Sequence, residues 1–389
     1  MISKTVDTRV RRPPGAMALA AFTSSVDRFG ISPLLVVIAV DFGVPLSAAV
    51  MTASVYFLTY GLTQPLWGML SDRFGRLPVM RVALAGAMLF GLASAFAPNL
   101  IILTVARALT GGFFGAIIPA SITYVGDTTS QEHRQSALSD LMAAVAVGTA
   151  SATAAAGIIG QVLNWRIVFA LAAVLALVAL IPLLRMAEPD RDRSTGVVAS
   201  LRLFFAEKWS WVIIVLAFVE GALVLGILTL LAPALETQGV DTSLAGLAVA
   251  AYGVATLVCT RLVRPVTARL SAPRVIALGG ICLVLGLAIV TIQLSIATVV
   301  AAAVLLGGAW AFMHTGLQSW ATRVVPAARG ISVAFFAGAV FAGSAVSSAI
   351  AGALAEAGHW TIIFGVSAAV ALVLTVAATA GLSRYLTHR

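Results

Sequence analysis

Charge is what this chain lacks most. Lys, Arg, Asp and Glu together make up 10% of its 389 residues, where soluble domains carry about 25%. That is too little to cover a water-exposed surface, so a soluble globular fold is excluded. Cysteine is nearly absent too. Cys259 and Cys282 both fall in apolar runs without the spacing of a disulfide framework or a metal site, and they read as packing residues. No His-Glu-x-x-His, Gly-x-Ser-x-Gly or Gly-Lys-Ser/Thr phosphate loop is present. Their absence argues against a membrane enzyme and against ATP drive within this chain. No cofactor and no metal site are expected.

What is abundant is apolar sequence: 60% of residues are hydrophobic and the mean hydropathy is +1.04. A run of about 20 apolar residues spans a bilayer. Twelve such runs are read at 16–40, 47–69, 79–98, 101–124, 137–160, 165–186, 210–233, 242–263, 273–293, 296–322, 330–354 and 360–384. The fold class is an all-α membrane protein with 12 transmembrane helices, and its first partner is the lipid bilayer. The net charge of +9 does not indicate nucleic acid. All Lys and Arg but Arg28, Arg107 and Arg166 lie in or beside the N-terminal tail, the even-to-odd loops or the C-terminal tail. The odd-to-even loops hold Asp41, Glu236, Asp241 and Glu356 instead. By the positive-inside rule both termini are expected in the cytoplasm. The tail carries Lys4, Arg9, Arg11 and Arg12 ahead of a full-length span with no evident cleavage site, so span 1 reads as retained.

The longest loop, 187–209, mixes Pro, Gly and both signs of charge. It reads as a linker between an N-terminal half, 1–186, and a C-terminal half, 210–389, with a short interfacial helix over 200–208. The halves repeat one another. Gly148, Gly157, Trp165 and Phe169 recur 195 residues later as Gly343, Gly352, Trp360 and Phe364. Ser47, Tyr56 and Gly111-Gly112 recur at an offset of 196 as Ser243, Tyr252 and Gly307-Gly308. A series that stays in step indicates duplicated six-helix halves, with a binding site near the midplane between them.

Between spans 2 and 3 lies Gly68-Met-Leu-Ser-Asp72-Arg73-Phe-Gly75-Arg76. It resembles the signature loop of the major facilitator superfamily, G-x-L-x-D-R-x-G-R, at every fixed position. The resemblance implies a conformational latch at Gly68, Asp72, Arg73, Gly75 and Arg76. Asp72 would sit at the positive N-terminal end of span 11, near Gly330, and Arg73 would pair with Asp127. The second copy of the loop keeps Arg269 but has Ala268 opposite Asp72. Arg107, followed by Gly111 and Gly115, resembles the family's span-4 motif, whose Arg is associated with proton coupling. The opening Asp27-Arg-Phe-Gly-Ile-Ser-Pro33 and the short linker resemble the 12-span drug:proton antiporter and arabinose-efflux-permease-like branch. In span 5 the branch's Gly-Pro centre is replaced by Ala152-Thr153, a departure that takes some support from export.

A charged side chain deep in a span costs roughly 2.5–3.5 kcal/mol. Away from span ends the ionisable residues are Asp27 and Arg28 (span 1), Arg107 (span 4), Glu220 (span 7) and His314 (span 10). The resemblance implies that these four spans line a central cavity. Asp27 lies about 16 Å along its helix, near the midplane, and Glu220 is equally central. A carboxyl withdrawn from water can take and release a proton, so Asp27, Glu220 and Arg107 are the proton-coupling candidates. A fixed structural ion pair is the plainer alternative for Asp27 and Arg107. Trp310, His314 and Gln318 share a helix face and, with Arg28, are the substrate-cavity candidates, although plain helix packing with one satisfied histidine reads as well. The function expected is proton-coupled export of a small amphipathic or cationic molecule by a monomer in the bacterial inner membrane. A transporter of a specific polar metabolite, such as a sugar or amino-acid derivative, is the alternative. A non-transporting receptor stands well behind both.

Overall fold

The computed structural model describes residues 15–188 and 197–387. The tail residues Lys4, Arg9, Arg11 and Arg12, and the centre of the 187–209 linker, lie outside the described residues. Those that are described form helices and short connections, with no strand. Eleven stretches are long and apolar enough to cross a membrane, and a broken first span completes twelve. That span runs as α1 (Gly15–Phe29), a 3-10 turn at Ser32–Leu34, and α2 (Leu35–Phe42). The break follows from Pro33, which has no N–H to give an α-helical bond.

Spans 2 and 3 are α3 (Leu46–Phe74) and α4 (Arg76–Ala95). Span 4 is divided into α5 (Leu100–Phe114) and α6 (Ile117–Thr128), and Asn99 caps α5 by accepting from the Ile102 amide at 3.0 Å. Spans 5 and 6 are α7 (Gln131–Val162) and α8 (Trp165–Leu184), and α9 (Val197–Ala206) is the linker helix. Span 7 is α10 (Lys208–Gly221), a π-helical turn at Ala222–Gly226, and α11 (Ile227–Glu236). Spans 8 and 9 are α12 (Thr242–Thr267) and α13 (Ala272–Ile292). Span 10 is α14 (Ile296–Ala309), a π-helical turn at Trp310–His314, and α15 (Thr315–Val324). Spans 11 and 12 are α16 (Arg329–Glu356) and α17 (Trp360–Thr387). The four spans expected to line a cavity are the interrupted ones; the other eight are unbroken.

Outward faces carry bare aliphatic side chains, such as Val373 (68% exposed) and Ile350 (64%), as lipid contact requires. Helices pack on small residues. A Cβ added to Gly221 would collide with the Val340 carbonyl oxygen, and one on Gly343 would collide with that of Phe218. The α10 and α16 backbones therefore touch directly.

The first six spans meet the last six mainly where α3 runs along α16 and α7 along α12. The polar bonds across this junction lie at the end away from Gly75. Ser32 Oγ donates to the Thr229 carbonyl at 2.9 Å, Ser54 and Ser348 hydroxyls meet at 2.9 Å, and the Ser243 amide donates to Gln161 Oε1 at 2.8 Å. Ser47 donates to the Glu356 carboxylate at the same end.

Candidate functional site

The interrupted spans bring the five deep ionisable residues into the interior. Asp27 and Arg28 stand in the last turn of α1, just before the break. Arg107 stands midway along α5 and meets Asp27 through a two-pronged bond: Nη1 donates to Oδ1 at 2.8 Å and Nη2 to Oδ2 at 3.1 Å. Nη2 also donates to the Asp27 carbonyl at 3.1 Å. The pair is sealed from solvent, with side chains 0% and 1% exposed. The Arg107 guanidinium lies 4.5 Å from the Tyr56 ring centre and 4.6 Å from that of Phe169.

Glu220 is the last residue but one of α10, two before the π turn of span 7 begins, and His314 ends the π turn of span 10. His314 Nδ1 and Glu220 Oε2 are 3.2 Å apart, while Glu220 Oε1 has no hydrogen-bond partner among the described residues. Trp310 stacks on His314 with ring centres 3.7 Å apart and planes 10° apart, and Phe336 stands on another side at 5.3 Å. Sequence reading left Glu220 without a partner because the histidine is 94 residues away.

Arg28 is buried under a collar of rings from three helices, with its guanidinium carbon 4.7 Å from Phe29, 5.2 Å from Tyr60 and 5.4 Å from Phe341. None of these aromatics was singled out in the sequence. The repeat carried a partial signal: Tyr56 lies over Arg107, and its repeat mate Tyr252 meets Phe29 of the collar with ring centres 6.1 Å apart. Gln318 is half-buried on α15. Asp27, Arg28, Arg107 and Glu220 are all buried, so the central cavity expected between these four spans is closed over them in this arrangement. Rings from α3 and α16 close over them.

The loop between α3 and α4 also departs from expectation. Arg76, not Arg73, reaches Asp127, with Nε donating to Oδ2 at 3.3 Å, and its Nη1 donates to Asp72 Oδ1 at 2.6 Å. Arg76 points back along the loop, whereas Arg73 in the last turn of α3 lies over the Phe74 ring at 5.2 Å. Asp72 is bound to Arg76, and a Cβ added to Gly330, at the start of α16, would meet open space. A different carboxylate takes a helix N-terminus. Glu188, beyond the end of α8, accepts from the amides of Arg76 at 2.7 Å and Leu77 at 2.8 Å, at the positive end of α4. Gly75 permits this with φ of 115°, and a Cβ there would press within 2.7 Å of the Glu188 carboxyl. Gly68 has open space around it. Glu188→Ala is expected to cost about 1 kcal/mol locally and to speed hydrogen exchange at the Arg76 and Leu77 amides. Unchanged exchange there would refute the cap.

Two segments of the chain, 17–241 and 222–385, match the family model of the Major Facilitator Superfamily. The chain belongs to the major facilitator superfamily. Relatives that match it are named as transporters and efflux pumps, and eleven of its described helices are long and apolar enough to cross a membrane. The superfamily fold is also seen in the crystal structure of a mutant of the nucleoside transporter NupG, at a TM-score of 0.77 and 13% identity over 94% of this chain and 99% of that one. Among curated superfamily relatives, the MFS-type transporter YfhI of Bacillus subtilis is 27% identical over 45% of this chain and 44% of its own. The multi-drug resistance efflux pump PmrA of Streptococcus pneumoniae is 34% identical over 31% of this chain and 30% of its own. The chain thus spans less than half the length of these curated relatives.

Proposed function

We propose that this superfamily member exports a small amphipathic or cationic molecule in exchange for protons, by alternating access, as a monomer in the bacterial inner membrane. The observation that carries the reading is Glu220: a fully buried carboxylate, bonded on one oxygen to His314 and unmet on the other. A buried acceptor left unmet is costly. A proton or a cationic group of the cargo satisfies the same oxygen, and competition for one acceptor is the physical basis of exchange. Asp27 and Arg107 form the second candidate for coupling, already closed into a pair.

Two six-helix halves, 1–186 and 210–389, move against one another in this reading, joined by 187–209. With the termini in the cytoplasm by the positive-inside rule, the seam from Ser47–Glu356 to Ser54–Ser348 closes the external end. Likeness to an efflux pump such as PmrA supports export. The test is efflux of a small amphipathic fluorescent dye from exporter-deficient bacteria expressing the protein, with and without a protonophore. Gradient-dependent efflux is expected. A folded, membrane-inserted protein that moves no dye would overturn broad export and leave a transporter of one polar metabolite.

A further inference from the structure

Two opposite charges in the interior are only half answered. Arg28 is 7% exposed, and its Nε has no hydrogen-bond partner among the described residues. The ring collar offsets part of the cost of burying a cation. It supplies no acceptor, although a guanidinium presents five N–H donors in a fork that matches a carboxylate. Glu220 is the complementary case, with Oε2 on His314 and Oε1 unmet.

The two groups share one neighbourhood. Arg28 lies over the Phe341 ring, and Gly221, next to Glu220, is pressed on the carbonyl of Val340, the preceding residue of α16. Asp27 and Arg107 provide a partial contrast: Nη1 and Nη2 meet both carboxylate oxygens there, and only Arg107 Nε is left without a partner.

We propose that the cargo is a zwitterion, with its carboxylate docked on Arg28 and its ammonium on Glu220. Its apolar body lies against Phe29, Tyr60 and Phe341. This rests on the exchange reading above and names the class of molecule that its central site takes. A cargo carrying an amine alone leaves Arg28 Nε unanswered, and one carrying an acid alone brings no cation to Glu220 Oε1. A buried polar group left without a partner is costly, so the site discriminates against both. The ammonium end displaces the proton from Glu220, while the carboxylate end provides selection among amines.

Calorimetric titration of the full chain in lipid nanodiscs with L-phenylalanine, L-phenylalaninamide and 3-phenylpropanoate tests this, because the three share one aromatic body and differ in charge. Phenylalanine is expected to bind at least about tenfold more tightly than either single-charge analogue, the scale of one lost charge-assisted hydrogen bond. Arg28→Gln should bring phenylalanine to the level of the amide and leave the amide unchanged. Equal affinity for phenylalanine and either analogue, binding of none of the three, or a preference that survives Arg28→Gln would each overturn the proposal. The wild-type comparison stands even if the variant does not fold. Binding needs no gradient, so loss of gradient-driven export with this selectivity intact would remove the exchange reading alone.

Discussion

Arg107→Ala is expected to destabilise the protein by about 3–5 kcal/mol, because it leaves the buried Asp27 carboxylate without its counter-charge. The fork reaches both carboxylate oxygens and the Asp27 carbonyl, so three bonds are lost at once. Arg107→Lys keeps the charge but not the fork, and is expected to recover only part of the loss. Removing both charges together, as Asp27→Leu with Arg107→Leu, should cost much less than removing Arg107 alone, since no orphan charge remains. Thermal unfolding of the purified variants reads these differences. Single and double variants that add independently would mean that the pair is not coupled. Transport by the double variant then separates two roles. A folded double variant that still accumulates cargo makes the pair structural, and a folded but inactive one gives it a part in coupling.

Glu220→Gln is expected to abolish uphill transport completely while leaving gradient-free exchange measurable. Glutamine keeps the shape and can still meet His314, so folding is expected to survive. What it lacks is a site that gains and loses a proton. His314→Gln should give a milder defect, because the acid remains and only the bond to its Oε2 changes. Both are measured in proteoliposomes, as accumulation under an imposed pH gradient and as counterflow without one. Persistent pH-driven accumulation by Glu220→Gln would remove it as the coupling acid, and loss of counterflow as well would mean a damaged site rather than a decoupled one.

The spans were legible in the sequence because lipid demands about 20 apolar residues at each crossing, and each expected run lies within or close to an observed one. The five deep ionisable residues stood out for the same reason, since a charge is conspicuous where hydrocarbon surrounds it. Pairing was harder to read. Asp27 and Arg107 could be matched as opposite charges on two spans, and they meet. Glu220 and His314 could not, because that bond depends on how span 7 faces span 10. The loop gave the right charges with the wrong partners: Arg73 and Arg76 are three residues apart, and only the turn at Gly75 decides which reaches Asp127. Glu188 reads as ordinary linker charge until α4 starts beneath it. Trp320, on the same span as His314, packs instead with Trp209 and Tyr385.

Helical arithmetic itself fails at the two π turns, Ala222–Gly226 and Trp310–His314, which no run of hydrophobic residues announces. Each winds one residue more than the α-helical turn it replaces. Spans 7 and 10 therefore hold a small length of spare rope beside Glu220 and His314. Rewinding either turn at regular α pitch would swing the far half of its span by roughly 100° and push it outward by about 1.5 Å, a shift that the loop beyond it takes up. Such a helix can be re-aimed at its middle like a key turned in a lock, while the long straight spans around it hold the barrel still.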